Sequence, residues 1–312
     1  MRPAEGGCWR MHGDRGITRV PVPPSRLGES PLWHPREGVL YWCDISGCTL
    51  NRYDPRRQLH EHWLFASEPG CCAPLLEGGL LLAMRDGLWR FDPASGKRRQ
   101  LAEPPYDAAL QRFNDGKADA QGRFWVGTIH EPRDAAAAAL YRFDGGRIER
   151  IAGGIGNSNG LAWSADGRTM YWADTSAHTV FAFDFEPASG VMSRRRVFAS
   201  FAPRAPDQPL ASYGGRPDGA AVDSAGCYWL AMYEGARLLR FAPDGDLLQT
   251  VELPVQCPTM PCFGGVDLRT LYVTSARDKR GAGELAALPW SGCVLQMRVE
   301  VPGLPANIAT LG

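Results

Sequence analysis

The sequence predicts an all-β protein, one six-bladed β-propeller spanning residues 1–312, with 1–15 set off as a candidate disordered leader. Three observations predict it. A tryptophan-bearing or equivalent strand recurs at Trp42, Leu82, Trp125, Trp172, Trp229 and Val273, at spacings of 40, 43, 47, 57 and 44 residues. That is the period of a four-stranded blade of roughly 40 to 50 residues. A second strand of shared form follows most of these, and turn residues punctuate its end.

The first unit opens on Gly28-Glu29-Ser30-Pro31-Leu32-Trp33, passes through Tyr41-Trp42-Cys43-Asp44 and returns along residues 50–54 to Asp54-Pro55. The second runs through Leu82 and residues 88–92 to Asp92-Pro93-Ala94-Ser95-Gly96. In the third, Asn114-Asp115-Gly116-Lys117-Ala118-Asp119 leads to Phe124-Trp125-Val126, residues 140–144 and Asp144-Gly145-Gly146. Asn159-Gly160-Leu161-Ala162-Trp163 opens the fourth, which continues through 169–174 and 180–184 to Glu186-Pro187-Ala188-Ser189-Gly190. The fifth begins at Pro217-Asp218-Gly219, crosses 227–231 and 238–242, and turns at Pro243-Asp244-Gly245; the sixth holds Phe263-Gly264-Gly265 and 271–275. Alternation of apolar and polar residues in the second strands marks one buried face.

Helical periodicity with caps is hard to find, and the nearest candidate, the alanine run at 134–140, reads as a loop or a single turn. The run at 293–299 is expected beside an N-terminal strand near 16–20, closing the ring and removing exposed edges. Residues 201–215, between two repeats, read as a loop over one end of the channel. No linker rich in Pro, Gly or Ser divides the chain into two β domains.

At 44% hydrophobic content over 312 residues, the chain can bury a large core. Lys+Arg and Asp+Glu stand at 34 each with no block of one sign. The electrostatic footprint of a nucleic-acid or anionic-membrane binder is therefore missing, and a small neutral or weakly charged ligand is expected. No apolar stretch has membrane-spanning length, and Glu5, Arg10, Asp14 and Arg15 stand where a secretory signal would be apolar, so a cytoplasmic location is expected. The nine cysteines include adjacent Cys71-Cys72 but no C-x-x-C pair, and read as reduced, mostly core thiols.

Glu29, Asp115, Asn159 and Asp218 fall at one equivalent place in four units. In a propeller the loops entering the innermost strands meet at the mouth of the channel, so Glu29, Asn159 and Asp218 are expected to converge. Two carboxylates and an amide oxygen are hard ligands, suited to a divalent cation such as Ca²⁺, Mg²⁺ or Mn²⁺. Asp-Gly and Asn-Gly are also ordinary hairpin signals, but Glu29 has no such turn role. Asp115 either faces the metal from further out or shapes its turn.

Gly28-Glu29-Ser30-Pro31, Arg112-Phe113-Asn114-Asp115-Gly116-Lys117, Ser158-Asn159-Gly160-Leu161, Arg216-Pro217-Asp218-Gly219 and Phe263-Gly264-Gly265 with Leu271-Tyr272-Val273-Thr274-Ser275 together resemble the signature segments of the SMP-30/gluconolactonase/LRE family. The resemblance spans nearly the whole chain. It implies a six-bladed propeller with one divalent metal ion (Ca²⁺, Mn²⁺, Mg²⁺, Fe²⁺ or Zn²⁺) that hydrolyses aldonolactones to aldonic acids. It implies Glu29, Asn159 and Asp218 as metal ligands and Arg112 and Asn114 as substrate contacts. Animal members place an acidic pair after the Gly-Thr of the third repeat; here Gly127-Thr128-Ile129-His130-Glu131 offers Glu131 alone as a contact for sugar hydroxyls.

A lactone needs a polarised carbonyl and an attacking water, and a divalent ion with open positions supplies both. Asp218 then either doubles as the proton acceptor or serves as a ligand only. Arg112 can give forked hydrogen bonds to a polyol and Asn114 can donate and accept; alternatively Arg112 pairs with Asp115 or Asp119, and Asn114 shapes an Asx turn. There is no Gly-x-Ser-x-Gly elbow, and His34, His60, His62, His130 and His178 lack an evident partner set. Two rivals stand beside the lactonase: a propeller esterase or phosphotriesterase with a more apolar pocket, and a non-catalytic divalent-metal-binding protein.

Overall fold

The computed structural model describes residues 16–312; the expected leader at 1–15 lies outside them. Six four-stranded antiparallel sheets follow one another as six blades. The recurrent strands found in the sequence are the second of each blade, Val39–Asp44, Leu80–Met84, Phe124–His130, Thr169–Asp174, Tyr228–Tyr233 and Thr270–Ser275. The innermost strands are Gly28–His34, Pro69–Pro74, Gln111–Ala118, Ser158–Trp163, Arg216–Val222 and Pro258–Gly264, and those of successive blades lie side by side. Blade 6 borrows its outermost strand from the other end of the chain: Thr18 pairs with Gln296 and Arg19 with Leu295, the closure the sequence predicts.

Each blade is flat on both faces and must bury both, and six apolar clusters do this, one per junction between neighbours. Trp42, Trp125, Trp172 and Trp229 are buried in them, as expected of core residues. Each indole N–H finds an acceptor, so burial leaves no orphaned donor. Trp42 donates to Ser25 Oγ at 3.0 Å and Trp172 to Ser158 Oγ at 2.7 Å. Trp125 and Trp229 donate to Asp119 and Asp223, whose carboxylates also hold Arg123 and Arg240 and receive backbone N–H groups of the turn closing the innermost hairpin.

Two readings of the sequence change. The alanine run is loop only up to residue 137, where the strand Ala138–Asp144 begins, and the α-helix among the described residues is instead Ala282–Ala287, in the connection after Thr270–Ser275. Six residues without a side-chain cap give almost no periodic signal. The stretch at 201–215 is a loop with one 3₁₀ turn, Leu210–Ser212. The eight cysteines among the described residues are all free and six are buried. No helix of the described residues is long and apolar enough to cross a membrane.

Beyond the last strand, the C-terminal segment crosses the lower face of the ring. Gly303 N–H donates to Leu268 O at 2.8 Å, Ala309 N–H to Pro74 O at 2.8 Å and Thr310 N–H to Gly122 O at 2.9 Å, tying blades 6, 2 and 3 together. Above it lies a cavity of about 370 Å³ whose walls include Lys117, Trp163, Met260, Cys262, Leu304 and Ala306.

Asp223 is fully buried and neutralises Arg240 at 2.7 Å. Asp223→Ala is expected to lower stability by about 3 to 5 kcal/mol, because it strands a half-buried guanidinium and an indole N–H. Exposed Glu103, changed to Ala, should stay within about 0.5 kcal/mol of the parent; urea unfolding of both variants checks the contrast.

Candidate active site at the channel mouth

β-Bulges set the site. In blades 1 and 4, Glu29 pairs with Cys43 and Asn159 with Ala173, and the register then slips before Leu32 and Ala162. In blades 3 and 5 the slip starts earlier, after Phe113 and Pro217, so that Asp115 and Asp218 lie inside it. The four polar residues share a sequence slot but not one ladder position, because a bulge displaced along the strand re-aims the side chains around it. Ser30 and Gly160, directly after Glu29 and Asn159, take the left-handed conformation at φ 47° and 61°. A Cβ on Gly160 would also stand 2.4 Å from the Tyr228 hydroxyl, so glycine is required there.

Glu29, Arg112, Asn114, Asp115, Asn159 and Asp218 are all buried, none more than 8% exposed. Asn114 Nδ2 reaches blade 4 and donates to Asn159 Oδ1 at 3.0 Å and Ser158 O at 2.9 Å, while its Oδ1 accepts from Arg112 Nη1 at 2.7 Å. An Asx turn is therefore not its role. Asn159 Nδ2 is committed to Thr175 Oγ1 at 2.8 Å, and Thr175 in turn donates to Pro217 O at 2.7 Å. That bond orients the amide so that Oδ1 is the atom left for a ligand.

Arg112 pairs with neither Asp115 nor Asp119. Its Nε stands 3.6 Å from Glu131 Oε1, and Glu131 Oε2 meets Arg85 Nη1 at 2.9 Å. Arg85 is itself forked onto Glu68 with two 2.8 Å bonds. Glu131 thus sits between two guanidiniums, the part-exposed member of a chain Glu68–Arg85–Glu131–Arg112. Asp115 accepts the Leu161 N–H at 2.8 Å through Oδ2, while its buried Oδ1 has no partner. The histidines among the described residues form no catalytic set: His130 bonds Asp134 at 2.7 Å, His34 faces Glu37, His60 meets Asn51 and stacks on His62, and His178 meets Tyr213.

Burial raises the Glu29 carboxyl well above its ordinary range, and the charges of Asp218 and Asp115 push it further. Burial lifts Asp218 to about 8, with Arg216 opposing and Asp115 adding to the rise. Asp115 is also raised by burial, against the pull of Lys117. No hydrogen bond reaches the Asp218 carboxylate among the described residues, and the positive charge that Glu29 and Asp218 meet, from Arg112 for both and Arg216 for Asp218, does not offset their burial. With Asn159 Oδ1 they form a donor set of hard oxygens that fits a divalent cation. No group of three or more His, Cys, Asp or Glu side chains among the described residues is arranged to hold a metal ion.

Arg85, Glu68, Thr175 and Lys117 complete this constellation without having been singled out by the repeat. Arg85 and Glu131 lie 46 positions apart, beyond the reach of any local pattern. Lys117 stood in view within Asn114-Asp115-Gly116-Lys117, where its part in the site depends on carbonyls of two other blades.

Six innermost strands around one axis, with a polar, acid-rich mouth, define a six-bladed propeller whose candidate site lies at the end of its channel. The chain belongs to the SMP-30/gluconolactonase/LRE-like family, whose model matches residues 27–277. It is 45% identical over 281 residues, 90% of this chain and 94% of the other, to a 6-deoxy-6-sulfogluconolactonase of Pseudomonas putida. It is 34% identical to a pentonolactonase of Haloferax volcanii, over 93% and 96% of the two chains. The crystal structure of a calcium-binding regucalcin of Agrobacterium tumefaciens matches with a TM-score of 0.86 at 26% identity, over 93% of this chain and 96% of that one.

Thr175→Val keeps the shape of the side chain but leaves the Asn159 amide N–H and the Pro217 carbonyl unpaired in a buried site. A loss of about 1 to 3 kcal/mol in denaturant unfolding is expected; an unchanged midpoint would remove Thr175 from the support of Asn159.

Proposed function

We propose that this protein hydrolyses a sugar-acid lactone to the aldonic acid, using one divalent cation held by Glu29, Asn159 and Asp218. The observation that carries this reading is a pair of buried, mutually repelling carboxylates, Glu29 and Asp218, with the oriented amide of Asn159, beside an arginine and an asparagine suited to a polyol. The names of its relatives, a sulfogluconolactonase and a pentonolactonase, support the substrate class. When bound, a divalent cation supplies Lewis acidity toward a carbonyl and lowers the pKa of water.

The chain's own residues do the rest. Arg112, held by Glu131 and Asn114, presents its guanidinium to ring hydroxyls or the carbonyl oxygen. Asp218 takes a proton from the attacking water and returns one to the ring oxygen as the C–O bond breaks. Water oxygen ends on the carbonyl carbon and the former ring oxygen becomes a hydroxyl, so no covalent enzyme intermediate is needed. Glu131, lying between Arg85 and Arg112, acts by fixing Arg112, with its exposed edge available to a sugar hydroxyl.

Acid release from glucono-, xylono-, arabinono-, galactono- and 6-sulfonated gluconolactones by chelator-stripped protein, before and after adding Ca²⁺, Mg²⁺, Mn²⁺, Fe²⁺ or Zn²⁺, tests the reading. Metal-dependent acceleration is expected with at least one pair, and little with phenyl acetate or a phosphotriester. The reverse ranking would move the protein to the esterase class. Asp218→Asn should lower kcat by about 10²-fold or more with circular dichroism unchanged; full activity in that variant would remove Asp218 from the chemistry. Arg112→Ala should raise KM or lower kcat while metal binding survives.

A further inference from the structure

Lys117 lies beneath the candidate site and is used by none of the chemistry above. From the innermost strand of blade 3 its Nζ donates to Leu161 O of blade 4 at 2.8 Å and to Ala220 O of blade 5. Leu161 stands two residues after Asn159, and Ala220 two residues after Asp218. The N–H of that same Leu161 is bound by Asp115, two residues before Lys117 on its own strand. One ammonium group therefore holds the backbone on which two of the three proposed ligands are carried, and it faces the acid that crowds both Glu29 and Asp218.

The carbonyls concerned sit next to bulges, where the ladder is interrupted and the strand is least constrained by its neighbour. A bulge re-aims a side chain only if the flanking backbone is fixed. Inside a propeller, innermost strands of successive blades do not pair in a ladder, so something else must set their relative height. Placing a lysine among backbone carbonyls rather than in water is costly unless every donor is used; its position is explained if the contacts it makes are the ones the site needs.

We propose that Lys117 is a positioning residue, an ammonium clamp that locks the bulged strands of blades 4 and 5 so that Asn159 and Asp218 meet Glu29. This role rests on the metal reading of the site given above. Lys117 also lines the cavity on the lower face.

The test compares wild type, Lys117→Met and Leu304→Ala, the last thinning the same cavity wall from the C-terminal segment. Mn²⁺ and Ca²⁺ affinities are measured on the free protein, and amide exchange of residues 158–163 and 216–222 is followed with metal removed. Lys117→Met should weaken metal binding at least tenfold and speed exchange in both segments, whereas Leu304→Ala lowers the melting temperature but leaves the affinity within twofold. A Lys117→Met affinity within twofold of wild type, or unchanged exchange, overturns the clamp. If that variant does not fold, Asp115→Asn/Lys117→Met, which removes both charges of the facing pair, is read by the same thresholds. Wild type that binds neither Mn²⁺ nor Ca²⁺ is measured with Mg²⁺, Fe²⁺ and Zn²⁺, and binding of none of the five sinks the metal reading itself, and this role with it; wild type that binds while Lys117→Met binds equally well sinks only the clamp.

Discussion

Everything at the mouth depends on one constraint: a closed ring of sheets brings the starts of its innermost strands to a common axis, where polar groups are crowded and water is scarce. Glu29, Asp115 and Asp218 would repel one another in any compact arrangement, and burial strengthens that repulsion. The fold supplies the force that holds them there, because each acid is mounted on a strand whose blade is locked by an apolar cluster on either side. The cost of bringing charge together is met by packing elsewhere.

The polar residues form two linked systems around this centre. Above, Glu68, Arg85, Glu131 and Arg112 alternate in sign and end on the buried Arg112, so the guanidinium nearest the acids is held from behind. Below, Asn114, Asn159, Thr175 and Pro217 O run through hydrogen bonds from blade 3 to blade 5. The first system sets charge and the second sets the orientation of an amide. Neither works without the other, since Asn114 belongs to both through its bond to Arg112.

Much of this was legible in the sequence, for identifiable reasons. Trp42, Trp125, Trp172 and Trp229 recur because each blade repeats one packing problem, and the Asp- and Gly-rich turns recur because each hairpin repeats one bend. The closure of 16–20 against 293–299 was legible too, since an open ring would leave two bare edges. The innermost strand of blade 2, Pro69–Pro74, gave no sign of itself: Pro-Gly-Cys-Cys-Ala-Pro lacks β-branched residues and alternation, and is a strand only because its neighbours enclose it. The bulge offset between Glu29 and Asp218, and the ion pairs of Glu131, depend on pairing between distant segments and leave no local trace. Glu29, Asn159 and Asp218 stood out because they recur in local motifs, and Arg112 and Asn114 through the family resemblance; Arg85 and Thr175 did not, because their partners are distant in the chain.

The seam that completes the ring is short. Thr18–Arg19 offers two paired positions to Leu295–Arg298, where the third and fourth strands of blade 1 share six. The segment beyond Arg298, laid across the lower face by scattered bonds to blades 6, 2 and 3, comes after that seam along the chain. Tension applied to the C-terminal end would therefore peel the strap first, one bond at a time, and only then load the seam. Under pulling, or in the grip of an unfolding machine that engages that end, the floor of the channel would be uncovered while the six blades still stood.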